Sequence, residues 1–407
     1  MKYDFDEQID RRGTNSVKWE FMPREDDPAK LDPTDRFFGD DRLLPMWVAD
    51  MDFRCAQPII DALTARVQHG IFGYSFPTPA YFEAVAGWMK KRHNWAIQPE
   101  WIVTTPGVVP ALHFLMRTLI APGDQVLVQT PVYAPFYRAI TNAGGEIRRA
   151  PMRLEAGRYT MDYAAVEEAA RDPRVKATIL CNPHNPVGRA WTADELRRLG
   201  EICFANDVQV IADEIHGDLI MRGATFTPFA SLGEQFERRA VTCTAASKTF
   251  NLAGMHTSNI VIADPELRAR LSATIANLGL FAVNEFGMVA LEAAYQHGEE
   301  WLDQALDYMT GNLEYLKSFV AENLPQVVLS PLEGTYLAWL DFRALELDGE
   351  ALHHLVMHEA GVYLDEGPIF GPEGEGFERI NLACPRAILA EALGRIKRAV
   401  EGLQHPG

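Results

Sequence analysis

Lys248 stands in Thr244-Ala-Ala-Ser-Lys-Thr-Phe-Asn-Leu-Ala-Gly254, directly after the apolar run Ala240-Val-Thr-Cys243. A lysine at the end of a buried strand loses hydration, so its ammonium pKa falls and the neutral, nucleophilic amine becomes accessible. The chemistry open to such an amine is Schiff-base formation. Taken alone, a Ser-Lys pair after a strand is usually a solvated turn, and the functional reading needs company. Two further apolar runs end in polar motifs, Asn182-Pro-His-Asn-Pro-Val-Gly188 and Asp213-Glu-Ile-His216. A third, Ile102-Val-Thr-Thr105, passes through Pro106-Gly-Val-Val-Pro110 into an apolar helix from Ala111 to about Ile120, whose first backbone N–H groups are free to bind an anion. Asp50 and Asp52 interrupt Leu44-Pro-Met-Trp-Val-Ala-Asp-Met-Asp-Phe53 either as turn-forming carboxylates at a strand end or in a backbone segment lining a pocket.

These residues need a scaffold. Short β-branched runs at 102–105, 125–129, 176–181, 208–212, 240–243 and 259–263 alternate with helical stretches, which predicts a mostly parallel sheet covered on both faces, a doubly wound α/β domain. Ligands in such sheets bind beyond the carboxyl ends of the strands, where the motifs above stand. Pro58 opens a helix that Gly70 closes, and the loop Gly70-Ile-Phe-Gly-Tyr-Ser-Phe-Pro77 follows, holding Tyr74. Beyond residue 285 one long helical region runs towards Phe319. Strand-like Gly334–Leu340 and Phe377–Ala383 and a helix from about Pro385 then predict a smaller α+β domain. The expected division is an N-terminal arm with part of the small domain over 1–57, a large domain over 58–290, and an interdomain helix with the small domain over 291–407. Residues 1–43, polar and Asp/Pro-rich, read as an arm lying on other surfaces.

The chain has 407 residues, 47% of them hydrophobic, enough for more than one core. Its 38 Lys and Arg against 56 Asp and Glu give a net charge of −18, which argues against nucleic acid and anionic membranes as partners. Five scattered cysteines without metal-ligand spacing point to a reducing cytoplasm and no metal. The opening residues lack a basic segment followed by an apolar one, and no apolar run is long enough to span a bilayer.

Together Asn185-Pro-Val-Gly188, Asp213-Glu-Ile-His216 and Ser247-Lys-Thr-Phe-Asn-Leu-Ala-Gly254 resemble the motifs of the aspartate-aminotransferase superfamily of fold type I. Leu44–Phe53, Pro106–Pro110 and Arg379-Ile-Asn-Leu-Ala-Cys-Pro-Arg386 resemble, more narrowly, its cystathionine β-lyase and cystalysin branch. The resemblance covers nearly the whole chain in order. It implies pyridoxal 5'-phosphate as cofactor, with Lys248 as its covalent anchor and as the base that removes the substrate's α-proton. Asp213 would keep the pyridine nitrogen protonated, Asn185 would donate to the ring's phenolic oxygen, and Tyr133 would stack on the ring. The backbone of Gly107, Val108 and Val109, with Ser247, would hold the phosphate, and Tyr74 would reach the phosphate of a neighbouring subunit in a homodimer. Arg379 would clamp the substrate's α-carboxylate, with Ala49 and Asp50 beside it.

Two positions depart from the aminotransferase pattern. His256 replaces an arginine eight residues after the lysine, and His216 replaces a tyrosine three after the aspartate. The first loss shifts phosphate binding onto backbone amides and Tyr74, and His216 is either a hydrogen-bond partner near the cofactor or a packed core histidine. Both departures lean towards the lyase branch: β-elimination from a sulfur amino acid such as cystathionine or another cysteine S-conjugate, with Tyr74 or Tyr133 assisting the leaving group. An aminotransferase on the same scaffold stays open. So does a lyase whose main role is as a regulatory protein-binding partner, as the branch also implies.

Overall fold

The computed structural model describes residues 2–24, 27–36 and 43–404. Its centre is a seven-stranded sheet: β1 (Ile102–Thr105), β2 (Gln125–Thr130), β3 (Glu146–Pro151), β4 (Val175–Cys181), β5 (Gln209–Asp213), β6 (Ala240–Thr244) and β7 (Ser258–Val261). The spatial order is β1-β7-β6-β5-β4-β2-β3, and only β7 runs antiparallel to its neighbours. β2, β4, β5 and β6 are almost wholly buried, as a sheet covered on both faces requires, and this is the mostly parallel α/β sheet expected from the apolar runs. β3 was absent from that expectation. It is an edge strand carrying Arg148 and Arg149, and its half-exposed faces erase the continuous apolar signal.

β4, β5 and β6 lie side by side in parallel, with Asp213 opposite both Cys181 and Cys243. Their carboxyl ends therefore open onto one crevice, bringing the motifs at 182–188, 213–216 and 247–248 together. α1 (Gln57–His69), with Pro58 in its first turn and Gly70 in the left-handed region at its end, and α2 (Pro79–His93), capped by the Thr78 hydroxyl, precede the sheet. α3 (Val108–Leu119) follows β1 and starts three residues before the expected Ala111, so its first amides belong to Val108 and Val109.

The long helix expected beyond residue 285 is two helices, α4 (Glu285–His297) and α5 (Glu299–Asn323), broken at Gly298. A Cβ at Gly298 would lie 2.5 Å from both Ala294 O and a ring carbon of Phe250. The break lets the chain turn against Phe250, two residues from Lys248. A second, antiparallel sheet follows, β8 (Val328–Leu329), β9 (Leu337–Asp341), β10 (Asp365–Glu366) and β11 (Phe377–Asn381), in the order β8-β9-β11-β10, and α6 (Arg386–Gln404) packs against α5.

The N-terminal stretch is more firmly built in than a surface arm. Phe5 packs among Phe53, Trp301 and Tyr308, and Lys18 is fully buried with its Nζ 2.6 Å from Asp52. Trp19 Nε1 and Arg11 Nη1 also donate to Asp52, both at 2.8 Å. Burial opposes ionisation of Asp52, but Lys18 and Arg11 outweigh it and hold the carboxyl below its usual range. The rest of the stretch at 25–26 and 37–42 lies outside the described residues.

Removing one partner of a buried ion pair leaves the other charge uncompensated. Asp52→Ala is therefore expected to lower unfolding stability by about 3–5 kcal/mol, read from the denaturant midpoint. Lys18→Met combined with Asp52→Leu recovers a large part of that loss, because no buried charge is then left unpaired.

Candidate active site

The turn Ala246–Thr249 leaves β6 and carries Lys248. Three anchors fix it. Thr249 donates to Asp218 at 2.8 Å, and Asp218 is held in turn by His93 and Trp88 from α2. Asn251, in the left-handed region, accepts from Met51 N–H and donates to Met51 O and Phe53 O. The segment 47–53 is tied from its other side by Asn381, which donates to Val48 O and Asp50 O. Ala49 O is thereby presented to the lysine, and Lys248 Nζ donates to it at 2.6 Å.

Among the described residues no carboxylate comes within ion-pair distance of Lys248. Burial pulls its pKa down to about 8, Arg379 pulls the same way, and the more distant Asp50 and Asp213 resist. A lysine with that value supplies free amine near neutral pH. Asp213, at the end of β5, is buried with one hydrogen bond, from Ile215 N–H at 3.2 Å. Burial pushes its carboxyl up to about 7, against that bond and the pull of Lys248. An ionised carboxylate is stable there only beside a cation.

Both groups border a cavity of about 300 Å³ that also meets Ala49, Tyr133, Asn185, His216 and Ser247. Gly107, Val108 and Val109 border it too, so α3 presents its first turn to the space. His216 is buried with Nδ1 unpartnered, and burial drives its pKa well below the usual value. It is thus a neutral ring facing the cavity rather than a satisfied core histidine. His256 borders the same cavity, so the position that lacks the arginine is still beside the expected phosphate site.

Arg379, on β11, is buried and stacks on Phe370, its guanidinium carbon 4.8 Å from the ring centre. Nη1 donates to Asn185 Oδ1 at 2.8 Å, which leaves the Asn185 amide nitrogen for the cavity, and Nη2 meets Trp47 O and Asp365. Asp50 does not border the cavity; its carboxylate is held by Arg11 at 2.7 Å. Tyr74 is fully exposed on its loop and is not brought to this cavity by its own chain.

Sequence reasoning missed three participants. Tyr336 donates to Ala49 O at 2.9 Å, Asp365 pairs with Arg379, and Arg11 reaches Asp50. Tyr336 carried a signal, being an aromatic residue inside the recognised strand-like run 334–340.

A family model for aminotransferase class I and II matches residues 50–396. The chain belongs to that family. Within it, the chain is 44% identical over 397 residues to cystathionine beta-lyase PatB of Bacillus subtilis, covering 98% of this chain and 100% of that one. Among solved structures of the family's fold, cystalysin from Treponema denticola, which contains a pyridoxal 5'-phosphate cofactor, superposes with a TM-score of 0.92 at 39% identity, covering 99% of this chain and 100% of that one. The PLP-bound C-S lyase of Staphylococcus hominis superposes with a TM-score of 0.88 at 33% identity, covering 98% of both chains. Among the described residues no helix is long and apolar enough to cross a membrane.

The raised pKa of Asp213 gives a pH test in protein stripped of small molecules. Below about 4 the carboxyl is protonated folded or unfolded; as pH rises to about 7 only the unfolded chain ionises freely, and stability is lost. Asp213→Asn is expected to abolish that loss. The gap in thermal midpoint between variant and parent should widen from pH 4.5 to 7.5.

Proposed function

We propose that this chain is a pyridoxal-phosphate-dependent carbon–sulfur β-lyase. Its reaction converts L-cystathionine or a related cysteine S-conjugate and water to a thiol, pyruvate and ammonia. The observation that carries this reading is the half-buried Lys248 amine at the end of one strand and the cation-deficient, buried Asp213 carboxylate at the end of the next, both on one cavity. The activities named for PatB and the C-S lyase, relatives along nearly the full length, support it.

The residues fit the cofactor. Asp213 lacks the cation that a protonated pyridine nitrogen supplies. α3 offers amides at 107–109 to a phosphate, with Ser247 and His256 beside them, and Tyr133 offers a half-buried ring on the cavity for stacking. When bound, the cofactor supplies an electron-accepting ring that stabilises negative charge at the substrate's α-carbon. The protein does the rest. Lys248 would hold the cofactor's aldehyde, and its amine, with its depressed pKa, would serve as the base for the substrate's α-proton. Arg379 holds the α-carboxylate, and Asn185, bonded to Arg379 through Oδ1, has its amide nitrogen left for the phenolic oxygen. Loss of the β-thiolate follows, with Tyr133 or the neighbouring subunit's tyrosine protonating sulfur.

The active sites are shared between two copies. Tyr74 is supported in that role by its complete exposure and its neighbours: Ile71, Phe72 and Phe76 are also exposed, as are Leu280 and Phe281 in the loop before α4. Phe72 contacts Phe286 in the first turn of α4, so the two loops flank one helix start. A patch of this kind marks an interface, and a second copy is the occupant that explains an active-site tyrosine within it. The division into an arm over 1–57, a cofactor-binding body over 58–290 and a smaller unit over 291–407 belongs to the same proposal, supported by the separate sheets.

Incubation with L-cystathionine should release pyruvate and thiol in equal amounts, with little amino transfer from substrates lacking a β-leaving group. Amino transfer to a keto acid without pyruvate would overturn the lyase reading. Lys248→Ala is expected to lower kcat by several orders of magnitude. Mixed dimers of Lys248→Ala and Tyr74→Ala chains should regain about a quarter of wild-type activity, since half the dimers carry one intact site of two. No recovery would mean the sites are not shared.

A further inference from the structure

The hydrogens of Arg379 can be counted against their partners, and the count bears on how a carboxylate enters the clamp. The guanidinium has five N–H hydrogens. One on Nη1 goes to Asn185 Oδ1, the two on Nη2 face Trp47 O at 3.2 Å and the Asp365 carboxylate, and Nε is buried with no partner. A carboxylate gripped by two parallel bonds uses Nη1 with Nη2 or Nε with Nη2. Both forks need Nη2. A bidentate α-carboxylate therefore displaces one of the two groups already on that nitrogen.

The two differ in freedom. Trp47 O is main chain, continuous with the segment that Asn381 and Asn251 pin on both sides. Asp365 is a side chain on β10, a two-residue edge strand, directly opposite Arg379 in the antiparallel register. Its side chain retains 12% exposure, so it has a way out, and strand pairing keeps it close when it leaves.

We propose that Asp365 is an exchangeable occupant of the clamp, an internal carboxylate that the substrate's α-carboxylate must displace. This rests on Arg379 being the α-carboxylate site of the reading above. Asp365 then keeps the buried guanidinium paired while no substrate is bound, and it weakens the binding of every α-amino acid by the ion pair that has to open. It is a specificity-determining residue: a lone carboxylate competes poorly, and a ligand whose amine is also captured wins.

The test uses purified holoenzyme and sodium propionate, which has the carboxylate and no amine to react, with Kd read by calorimetry. Asp365→Asn keeps the shape and an acceptor oxygen but loses the charge-assisted bond, and it should tighten propionate binding about tenfold or more. It should also lower KM for L-cystathionine without raising kcat. Arg379→Met should abolish propionate binding. If Asp365→Asn binds propionate no tighter than the parent while Arg379→Met still loses it, the clamp stands and the exchange is wrong. Propionate binding unaffected by Arg379→Met would remove the clamp and the proposal together. Should Asp365→Asn fail to fold, a crystal structure of the parent holoenzyme with propionate decides: Asp365 off Nη2 supports exchange, and Asp365 still on Nη2 beside a bound carboxylate overturns it.

Discussion

Everything in this site depends on a lysine amine taken out of water and given a peptide carbonyl instead of a carboxylate. A contacting carboxylate would stabilise the ammonium and hold the proton on; a neutral acceptor stabilises it far less. The balance leaves Lys248 at about 8, with Asp50 and Asp213 near enough to be felt but not in contact. Asp50 is itself occupied by Arg11, which limits how far its charge restores the lysine's proton affinity. The amine is thus nucleophilic because of what surrounds it at several ångströms, not because of one neighbour.

The sheet makes this arrangement affordable in structural terms. Three parallel strands in register place Asn182, Asp213 and the turn after Thr244 at one edge, where backbone hydrogen bonds satisfy the groups that burial would otherwise strand. Asn182 N–H bonds Asp213 O, and Glu214 N–H bonds Cys243 O. Even Glu214, buried and pushed up to about 8, is satisfied as a near-neutral acid between Asn182 and the Phe229 amide. Asp213, with its single hydrogen bond from Ile215 N–H, is the less satisfied of the two and the one that borders the cavity.

Much of this was legible in the residue order. Buried parallel strands write themselves as apolar runs, and polar motifs at their ends stand out against that background, so Lys248, Asp213, Asn185 and the helix after Pro106 can all be singled out, and the structure sets them round one cavity. What escaped lacks either period or context. Asp365 lies in Leu364-Asp-Glu-Gly367, which reads as a turn, and only pairing with β11 makes it a strand. Arg11 sits in a polar stretch with no apolar rhythm to announce that Phe5 and Lys18 are buried. The break at Gly298 was hidden because the contact that requires it comes from Phe250, far away in sequence. Tyr74 was nameable only through resemblance; its exposure within an apolar patch is a property of the folded surface.

The pinning of segment 47–53 from two sides has a mechanical meaning. Asn381 is the last residue of β11, two positions after Arg379, and it grips the carbonyls on either side of Ala49; Asn251 grips the next residues from the lysine's own turn. The short piece of chain between them is a tie rod joining the strand that carries Arg379 to the turn that carries Lys248. The same run carries Ala49 O, the carbonyl on which the lysine rests. Arg379's strand and Lys248's turn are therefore joined by two asparagine side chains, Asn381 and Asn251, gripping one short run of backbone.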